Sequence, residues 1–198
     1  MRQEVTSLLI TPPAVEPVSL DEAKLHLRVD GPEEDDLITG ALIAAREVCE
    51  DESRRAFITQ TREAILECWP AAPWIALPRP PLQSVVSIKY TDSQGMEHTW
   101  PSSEYIVDTA STPGRVRLAY GKWWPWATLQ PGPAIRVRYV AGYGDDAEDV
   151  PQKFRQAIKL LIGHYYENRE AVTAQVRFNL APIPLGVRSL LMVDRGTW

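Results

Sequence analysis

Three histidines and two cysteines are the side chains from which metal binding or nucleophilic catalysis would start in this chain. His26, His98 and His164 lie far apart, and none has a second His or a Cys at the spacing of a zinc ligand pair. Cys49 and Cys68 form no CxxC pair, and no GxSxG, HExxH or GxxxxGK[ST] motif occurs. We therefore expect no catalytic residue, no metal and no cofactor, and a reduced protein without disulfides.

A run of four acids is the next candidate for chemistry, because adjacent carboxylates could collect a divalent cation. The run comprises Glu33, Glu34, Asp35 and Asp36. It follows Pro32, which suits a first helical turn, where each acid is stabilised by about 0.3 to 1 kcal/mol through the helix dipole. The spacing of an EF-hand is missing, so the run predicts the start of a helix rather than a metal site.

Charge is unevenly distributed over the 198 residues. The chain carries 21 Lys and Arg against 26 Asp and Glu, a net charge of -5, and 13 of the acids but only 6 of the bases fall within residues 1–55. The pI near 5.3 argues against a protein whose main surface wraps a nucleic-acid phosphate backbone, because such surfaces need clustered Lys and Arg. This excess of negative charge in the N-terminal part of the chain favours head-to-tail contact between copies, in which unlike charges meet.

Three tryptophans within four positions form the most unusual local feature. Trp123, Trp124 and Trp126 lie close to Tyr120. Aromatic faces on a β module could stack sugars or bases, or they could pack under a loop or against another subunit. Both interpretations stay open from the sequence, with packing or subunit contact favoured.

Helical periodicity appears on both sides of a long β-rich segment. Ser19 and Glu22 form a capping box for a short helix that ends near Arg28. Apolar residues then recur at three and four positions through residues 37–49, with Arg46, Glu47, Glu50 and Asp51 on the opposite face. A third helix is predicted over residues 151–169, with Lys153, Arg155 and Lys159 exposed, and we expect it to pack on the second.

Between these helices the period changes to two, which is typical of strands. The strand candidates are residues 59–69, 74–77, 83–91, 96–100, 105–107, 115–119 and 134–141. Arg115, Arg117, Arg136 and Arg138 alternate with apolar neighbours and are predicted to point outward from an antiparallel β module.

These elements predict an α+β fold, in which a small helical bundle carries an antiparallel β insertion. We expect one domain over residues 1–198, with a helical core at 18–55 and 150–170, the β insertion at 57–145, and a C-terminal tail at 171–198 that contains a short helix. A mean hydropathy of -0.23 is that of a soluble globular chain. No apolar stretch reaches the ~18 to 20 residues of a membrane span, and residues 1–10 lack the order of a signal peptide.

Several segments resemble the head-to-tail connector (adaptor) proteins of long-tailed double-stranded DNA phages and gene-transfer agents. Residues 16–30, EPVSLDEAKLHLRVD, resemble the opening of that family, and DDLI at 35–38 with LIAARE at 42–47 resembles its second helix. FITQT at 57–61, PRPPLQSV at 78–85 and VAGYG at 140–144 are similar to its β segment, and VP at 150–151, QAI at 156–158 and HYYENRE at 164–170 to its third helix. The likeness covers roughly residues 16–191.

The resemblance implies a non-enzymatic ring subunit, commonly in twelve copies, in the neck of a virion or gene-transfer-agent particle assembled in a bacterial cytoplasm. Its partners would be the portal protein on one side and a stopper or tail-terminator protein on the other. Double-stranded DNA would pass through the lumen without specific binding, and twelve copies at -5 would give the ring a formal charge of about -60, which would repel DNA.

The resemblance also places portal docking on the tail. The expected docking residues are Phe178, Leu180, Ile183, Leu185, Val187, Leu190 and Leu191. For contacts between subunits we expect the acids Glu33, Glu34, Asp35 and Asp36, the four outward arginines and the three clustered tryptophans. The alternative function is a glycan- or host-surface-binding β module with helical flanks, which would display the tryptophans as a platform.

Overall fold

The computed structural model describes residues 5–168 and 183–192 of the chain. Its contacts divide these residues into two compact units. We call residues 5–14 and 55–143 the β unit, and residues 15–54, 144–168 and 183–192 the helical unit. The chain therefore starts in the β unit, enters the helical unit, returns, and finishes in the helical unit over the described ranges.

The helices and strands follow the order expected from the sequence, with one additional strand at the beginning. The helices are α1 (Leu20–Leu27), α2 (Asp35–Ser53), α3 (Gln152–Glu167) and α4 (Leu185–Met192). The strands are β1 (Thr6–Thr11), β2 (Gln60–Leu66), β3 (Trp74–Ala76), β4 (Leu82–Thr91), β5 (Glu97–Thr99), β6 (Tyr105–Asp108), β7 (Arg115–Leu118) and β8 (Ile135–Ala141). The predicted α+β fold class is confirmed.

The first helix begins at the predicted capping box. The Glu22 amide donates to the Ser19 hydroxyl at 3.1 Å, and the Ser19 amide donates to the Glu22 carboxylate at 3.3 Å. Val18 before the cap and Ala23 within the first turns are both fully buried. Two backbone donors at the helix start are thereby satisfied, and the apolar pair fixes the angle at which the chain enters α1.

The core of the helical unit forms where α2, α3 and α4 pack together. Its buried side chains come from the predicted apolar stripes of α2 and α3, together with two residues of α4. The main members are Ile38, Leu42, Ala45, Cys49, Phe154, Ala157, Ile158, Leu161, Ile162, Val187 and Leu191. The predicted contact between the second and third helices is confirmed.

Five charged residues that the helical pattern places on solvated faces are not exposed, and one of them, Lys153, is half-buried. Arg46 and Glu50 are each only 6% exposed, because Arg46 donates to Glu50 at 3.1 Å within the turn of helix that joins them. Arg155 and Lys159 are also largely covered, since both pair with Glu22 of α1. The prediction of exposure was therefore wrong at these positions, and for all except Lys153 the reason is that partners elsewhere in the fold neutralise the charges.

The β unit consists of two antiparallel sheets. The larger has five strands in the order β1-β2-β8-β4-β5, and the smaller has three in the order β3-β7-β6. All seven strands that alternation predicted are present, with ends that differ by a few residues. No strand was predicted before residue 59, yet Thr6–Thr11 form β1 at the edge of the larger sheet.

The core of the β unit lies on one face of the larger sheet and is centred on β8. Ile135, Val137 and Tyr139 are fully buried, whereas Arg136 and Arg138 between them are exposed. The Tyr139 hydroxyl donates to the Pro78 carbonyl at 2.8 Å, so the polar end of this buried ring is satisfied. The predicted alternation of β8 is thus confirmed, and its arginines lie on the face of the sheet opposite the core.

Candidate interaction surfaces

The acidic run lies at the beginning of α2, as predicted, but part of it is already engaged. The Lys24 ammonium contacts the Asp35 carboxylate at 2.5 Å, and the Tyr166 hydroxyl donates to Glu34. Glu33 and Asp36 are exposed. The outward-facing part of this surface therefore consists of Glu33 and Asp36.

The two arginines of β7 both pack over an aromatic ring, and one of them also binds a carboxylate. The guanidinium carbons of Arg115 and Arg117 lie 5.5 and 5.7 Å from the centre of the Trp74 ring. Arg117 also donates to Asp108 at 3.2 Å, and hydrogen bonds from Ser111 and then Arg117 hold the pKa of that carboxyl below its usual range. Both arginines are only partly exposed, so they form a cationic band along the strand rather than freely extended side chains.

The arginines of β8 form a charged surface on the outer face of the larger sheet. Arg138 donates to Glu63 at 3.0 Å, and Lys89 donates to Glu97 at 2.7 Å. Arg136 lies in the same shallow depression as these four residues. Three cations thus face two carboxylates, and this surface keeps an excess of positive charge.

The three clustered tryptophans separate into two groups. Trp124 lies parallel to Trp69 with ring centres 5.2 Å apart, and it packs against Trp100 at the same distance. Its indole N–H donates to the Ala72 carbonyl at 3.2 Å. Trp124 is therefore half-buried against the core of the β unit and anchors the segment that carries its neighbours.

The other aromatic side chains of this segment point into solvent. Trp126 is 93% exposed, Trp123 73%, and Tyr120 is fully exposed. Soluble proteins rarely leave so much aromatic surface uncovered unless it binds something, because tryptophan and tyrosine are the residues most enriched at the centres of interfaces. We call these three exposed side chains, which flank the anchored Trp124 in the sequence, the displayed aromatic surface.

The tail residues expected to dock on a portal differ in their surroundings. Val187 and Leu191 are fully buried in the helical unit, Ile183 and Leu190 are half-buried, and Leu185 is 80% exposed. Phe178 and Leu180 lie outside the described residues. In this structure Leu185 is therefore the large apolar side chain of the described tail that is most available to another protein.

Comparison with known families decides what kind of protein carries these surfaces. The family described as "Phage gp6-like head-tail connector protein" matches residues 17–112 and 129–195. The chain belongs to this family. Membership makes it a structural connector protein of the junction between head and tail. Among curated proteins, none matches the sequence significantly.

The connector also shares its fold with solved structures of gene transfer agent (GTA) particles. One is described as the neck of an empty GTA particle computed with C6 symmetry, with a TM-score of 0.78, 23% identity, and coverage of 96% of this chain and 95% of the other. The neck of a native particle computed with C12 symmetry gives 0.72, 24%, 95% and 94%. The virion of a native particle gives 0.75, 23%, 96% and 95%.

The gap in the family match falls on one informative segment of the connector. Residues 113–128 are unmatched, and they contain β7 with its two arginines and all three clustered tryptophans. The displayed aromatic surface therefore lies in the part of the chain that the family model leaves unmatched. The comparisons give no support to the alternative of a glycan-binding module.

The described part of the connector shows no site for nucleophilic catalysis or metal binding. Burial, and then the charge of Glu50, raises the pKa of the Cys49 thiol to about 12, so it is an inert core residue. Over residues 5–168 and 183–192, no three His, Cys, Asp or Glu side chains are grouped to hold a metal ion. Among the described helices, none is both long and apolar enough to cross a membrane.

Two features of the connector were not predicted from the sequence. Arg46 binds Glu16 and Glu50 in a largely buried cluster, and the only available signal was an acid four residues after a base. The edge strand β1 exposes Leu8, Leu9 and Ile10. In the sequence this strand is an uncharged, partly apolar run that ends just before two consecutive prolines.

Proposed function

We propose that the connector forms a ring of twelve copies that joins the portal protein to a stopper or tail-terminator protein and continues the DNA channel. The family match carries this proposal, and the fold shared with GTA neck structures solved with C6 and C12 symmetry supports a ring. The protein would be made in the host cytoplasm and act in the neck of a phage or GTA particle. Its role is geometric, and we propose no catalytic activity for it.

Opposite charges on the two units supply a reason for copies to associate head to tail. The described residues of the β unit contain nine Lys and Arg against six Asp and Glu, whereas those of the helical unit contain eight against seventeen. The β unit is thus positive by three and the helical unit negative by nine. A contact between unlike units of adjacent copies is heterologous, which is the type that closes into rings.

The residues proposed for this contact are the cationic strands and the acidic start of α2. Arg136 and Arg138 supply the exposed charge of the β unit, with Arg115 and Arg117 as a second band. Glu33 and Asp36 supply the exposed acids, while Glu34 and Asp35 of the same run are engaged within their own unit. Exposed charges steer association and set its register more than they add affinity, so assembly should weaken with salt.

The displayed aromatic surface is proposed as the apolar centre of the subunit contact. Trp123, Trp126 and Tyr120 would each bury roughly 150 to 250 Å² if covered. Together they approach the ~800 Å² per partner of a stable interface. They therefore supply the area that surface charge pairs alone lack.

Portal docking is proposed for the C-terminal segment from residue 178 to residue 191. Within the described part, Leu185 on α4 is the exposed apolar anchor. Val187 and Leu191 contribute by holding α4 on α2 and α3, and they would reach a portal only if the helix moved. Phe178 and Leu180 are kept as candidates from the resemblance alone.

The proposal is tested by sedimentation velocity of the connector alone and mixed with the portal protein encoded near it. We expect the connector to co-sediment with the portal ring at a fixed stoichiometry of twelve. Leu185→Asp should weaken this association, with Leu160→Asp on exposed α3 surface as the matched control. A connector that stays monomeric and never migrates with portal would contradict the proposal.

The passage of DNA is tested separately. An acidic lumen predicts that assembled rings do not retain double-stranded DNA at 0.15 M salt. Salt-sensitive retention of DNA by assembled rings would instead contradict the acidic lumen.

A further inference from the structure

A surface that receives the displayed aromatic side chains of the β unit must itself be exposed and partly apolar. Among the described residues of the helical unit, Leu25 and Leu185 are the two large apolar side chains with more than half of their surface exposed, at 82% and 80%. Leu185 on α4 is proposed for portal docking. A single exposed leucine is ordinary on a protein surface, so Leu25 on α1 is informative only because of what lies beside it.

Leu25 borders a groove between α1 and α3, which we call the α1–α3 groove. Its volume is about 290 Å³, close to the lower end of the ~300 to 1,000 Å³ of pockets that hold small organic groups. The groove is lined by Glu22, Leu25, His26, Gln156 and Lys159. The Lys159 ammonium lies 3.4 Å from the Glu22 carboxylate, so these two charges offset each other. The remaining lining consists of a leucine, an imidazole ring and the methylene stems of two long side chains, which suits a flat apolar group.

The α1–α3 groove adjoins the acidic start of α2. Lys24, the neighbour of Leu25 on α1, contacts Asp35 at 2.5 Å, and Tyr166 on α3 donates to Glu34. Both helices that form the groove are therefore fastened to the acidic run, whose remaining two acids are exposed. A partly apolar groove and an acidic patch thus lie next to each other on the helical unit.

The β unit shows the complementary combination. The Trp124 indole N–H donates to the Ala72 carbonyl at 3.2 Å, and Ala72 is two residues before Trp74 in the chain. Arg115 and Arg117 lie over the Trp74 ring, with their guanidinium carbons 5.5 and 5.7 Å from its centre. The segment that carries the displayed aromatic surface is thereby anchored beside the cationic band of β7.

We infer that Trp126 of one copy inserts into the α1–α3 groove of the neighbouring copy and packs against Leu25. This inference deepens the proposed ring and rests on it, because a second copy must fill the groove. Trp126 is chosen because it is 93% exposed, against 73% for Trp123. The charged patches beside the aromatic surface and beside the groove are opposite in sign, so apolar and electrostatic complementarity favour the same contact. That contact joins unlike surfaces, which is the type that closes into rings.

The groove can satisfy both the apolar and the polar parts of an indole. Burying a tryptophan removes roughly 150 to 250 Å² from water. The indole N–H needs an acceptor when it is buried, and the Gln156 side-chain carbonyl and the Glu22 carboxylate both line the groove. The Lys159 ammonium adds a cation that can lie over the ring. We therefore expect the affinity between subunits to depend strongly on Trp126.

Chemical cross-linking beside the contact tests the inference without removing either of the two contacting side chains. In the Cys68→Ser background, one protein carries Ala127→Cys, next to the inserted tryptophan, and a second carries Asp21→Cys, one turn before Leu25 on α1. The two proteins are mixed with portal and treated with a short bis-maleimide. We expect a cross-linked heterodimer. Ala44→Cys, on the exposed face of α2, replaces Asp21→Cys as the matched control and should give none.

A double-mutant cycle provides a second measurement. Leu25→Ala and Trp126→Ala should each weaken ring assembly on the portal about tenfold, as measured by sedimentation over a range of connector concentrations. Residues in contact lose one shared interaction, so the double variant should be little weaker than either single variant, whereas independent sites would give about a hundredfold loss. Ile43→Ala, on α2, is the matched control and should have no effect alone or with Trp126→Ala. These side chains are exposed, so every variant should keep the unfolding midpoint of the parent.

The outcomes separate this inference from the connector role. If parent rings co-sediment with portal but no heterodimer forms and the losses multiply, the groove does not receive Trp126 although the protein is a connector. If Leu25→Ala rings assemble normally but no longer bind portal, the groove serves the portal instead. If the parent forms no ring even with portal, the proposed function and the inference are both wrong.

Discussion

Arg46 in the middle of α2 donates a hydrogen bond through Nε to the carboxylate of Glu16 at 2.8 Å, thirty residues earlier in the chain. Its Nη1 donates to Glu50 at 3.1 Å on the same helix. Burial raises the pKa of Glu16, and the charge and hydrogen bond of Arg46 oppose this change. One guanidinium thereby fastens the segment before α1 to α2.

Replacing Arg46 by Ala should destabilise the helical unit by about 3 kcal/mol, because two carboxylates with little access to water lose their shared cation. The measurement is urea unfolding followed by circular dichroism. Glu47→Ala is the matched control: Glu47 also approaches Arg46, at 3.6 Å, but its side chain is 62% exposed, so its loss should change the free energy of unfolding by less than about 0.5 kcal/mol. An equally small effect of Arg46→Ala would show that the buried pairs with Glu16 and Glu50 do not stabilise the helical unit.

Glu22 should make the helical unit lose stability in acid. Burial alone would raise its pKa, but hydrogen bonds from the Ser19 amide and from Arg155, with the charge of Lys159, lower the pKa below the ordinary value of 4.5. A carboxyl with a lowered pKa in the folded state adds stability above its unfolded pKa, and this is lost as the pH falls from about 4.5 through the folded value.

Glu22→Gln isolates this effect, because glutamine preserves the capping box but not the charge. At pH 7 the variant should be less stable by up to about 1 kcal/mol, since the Glu22 side chain keeps about a third of its exposure. Unfolding midpoints of parent and variant should converge as the pH falls below about 4.5. Parallel curves over that range would contradict the assignment.

Local patterns in the sequence predicted the elements, because their signals lie within a few residues. The capping box needs only Ser19 and Glu22, and the alternation of β8 needs only its seven residues. Burial of charge could not be predicted in this way. Whether Arg155 is solvated depends on Glu22, 133 positions away, and a helical wheel contains no such information.

The candidate surfaces were predictable in composition but not in detail. The three tryptophans lie together in the sequence, and nothing in an aperiodic segment distinguishes Trp124 from its neighbours. The distinction comes from Trp69, after β2, and Trp100, after β5, which pack against the Trp124 ring. Strand β1 was missed for a related reason, since its partner β2 lies some fifty residues further on.

One cysteine should react rapidly in the folded chain. Cys68 is exposed, whereas Cys49 is buried in α2 with its pKa raised to about 12. A thiol reagent at pH 8 should therefore modify one equivalent per folded monomer and a second only on unfolding. Cys68→Ser should abolish the fast phase. Two fast equivalents would show that α2 opens readily in the native state.

The three clustered tryptophans should differ in their roles: Trp124 should stabilise the fold, whereas Trp123 and Trp126 should stabilise the ring. Trp124→Ala removes a stacked core ring and should lower the free energy of unfolding by about 3 kcal/mol. Trp123→Ala and Trp126→Ala remove exposed rings and should leave the unfolding midpoint unchanged, but weaken ring assembly by tenfold or more if they lie in the subunit contact. Thermal unfolding of the monomer and sedimentation with portal measure the two effects. Unchanged assembly in the Trp123→Ala/Trp126→Ala double variant would remove these side chains from the interface.

Gly142 should tolerate no side chain, because two independent constraints meet at the end of β8. Its φ of +139° is unfavourable for residues with a Cβ, and a Cβ there would lie 2.5 Å from the backbone of Ile58 and Thr59. Gly121 has a positive φ of +71° but open space around it, so it separates strain from collision. We expect Gly121→Ala to cost about 1 kcal/mol of stability and Gly142→Ala to cost clearly more, about 3 kcal/mol or above. Similar costs at both sites would show that the backbone near Ile58 moves aside, and that the close approach of the two segments does not constrain the sheet.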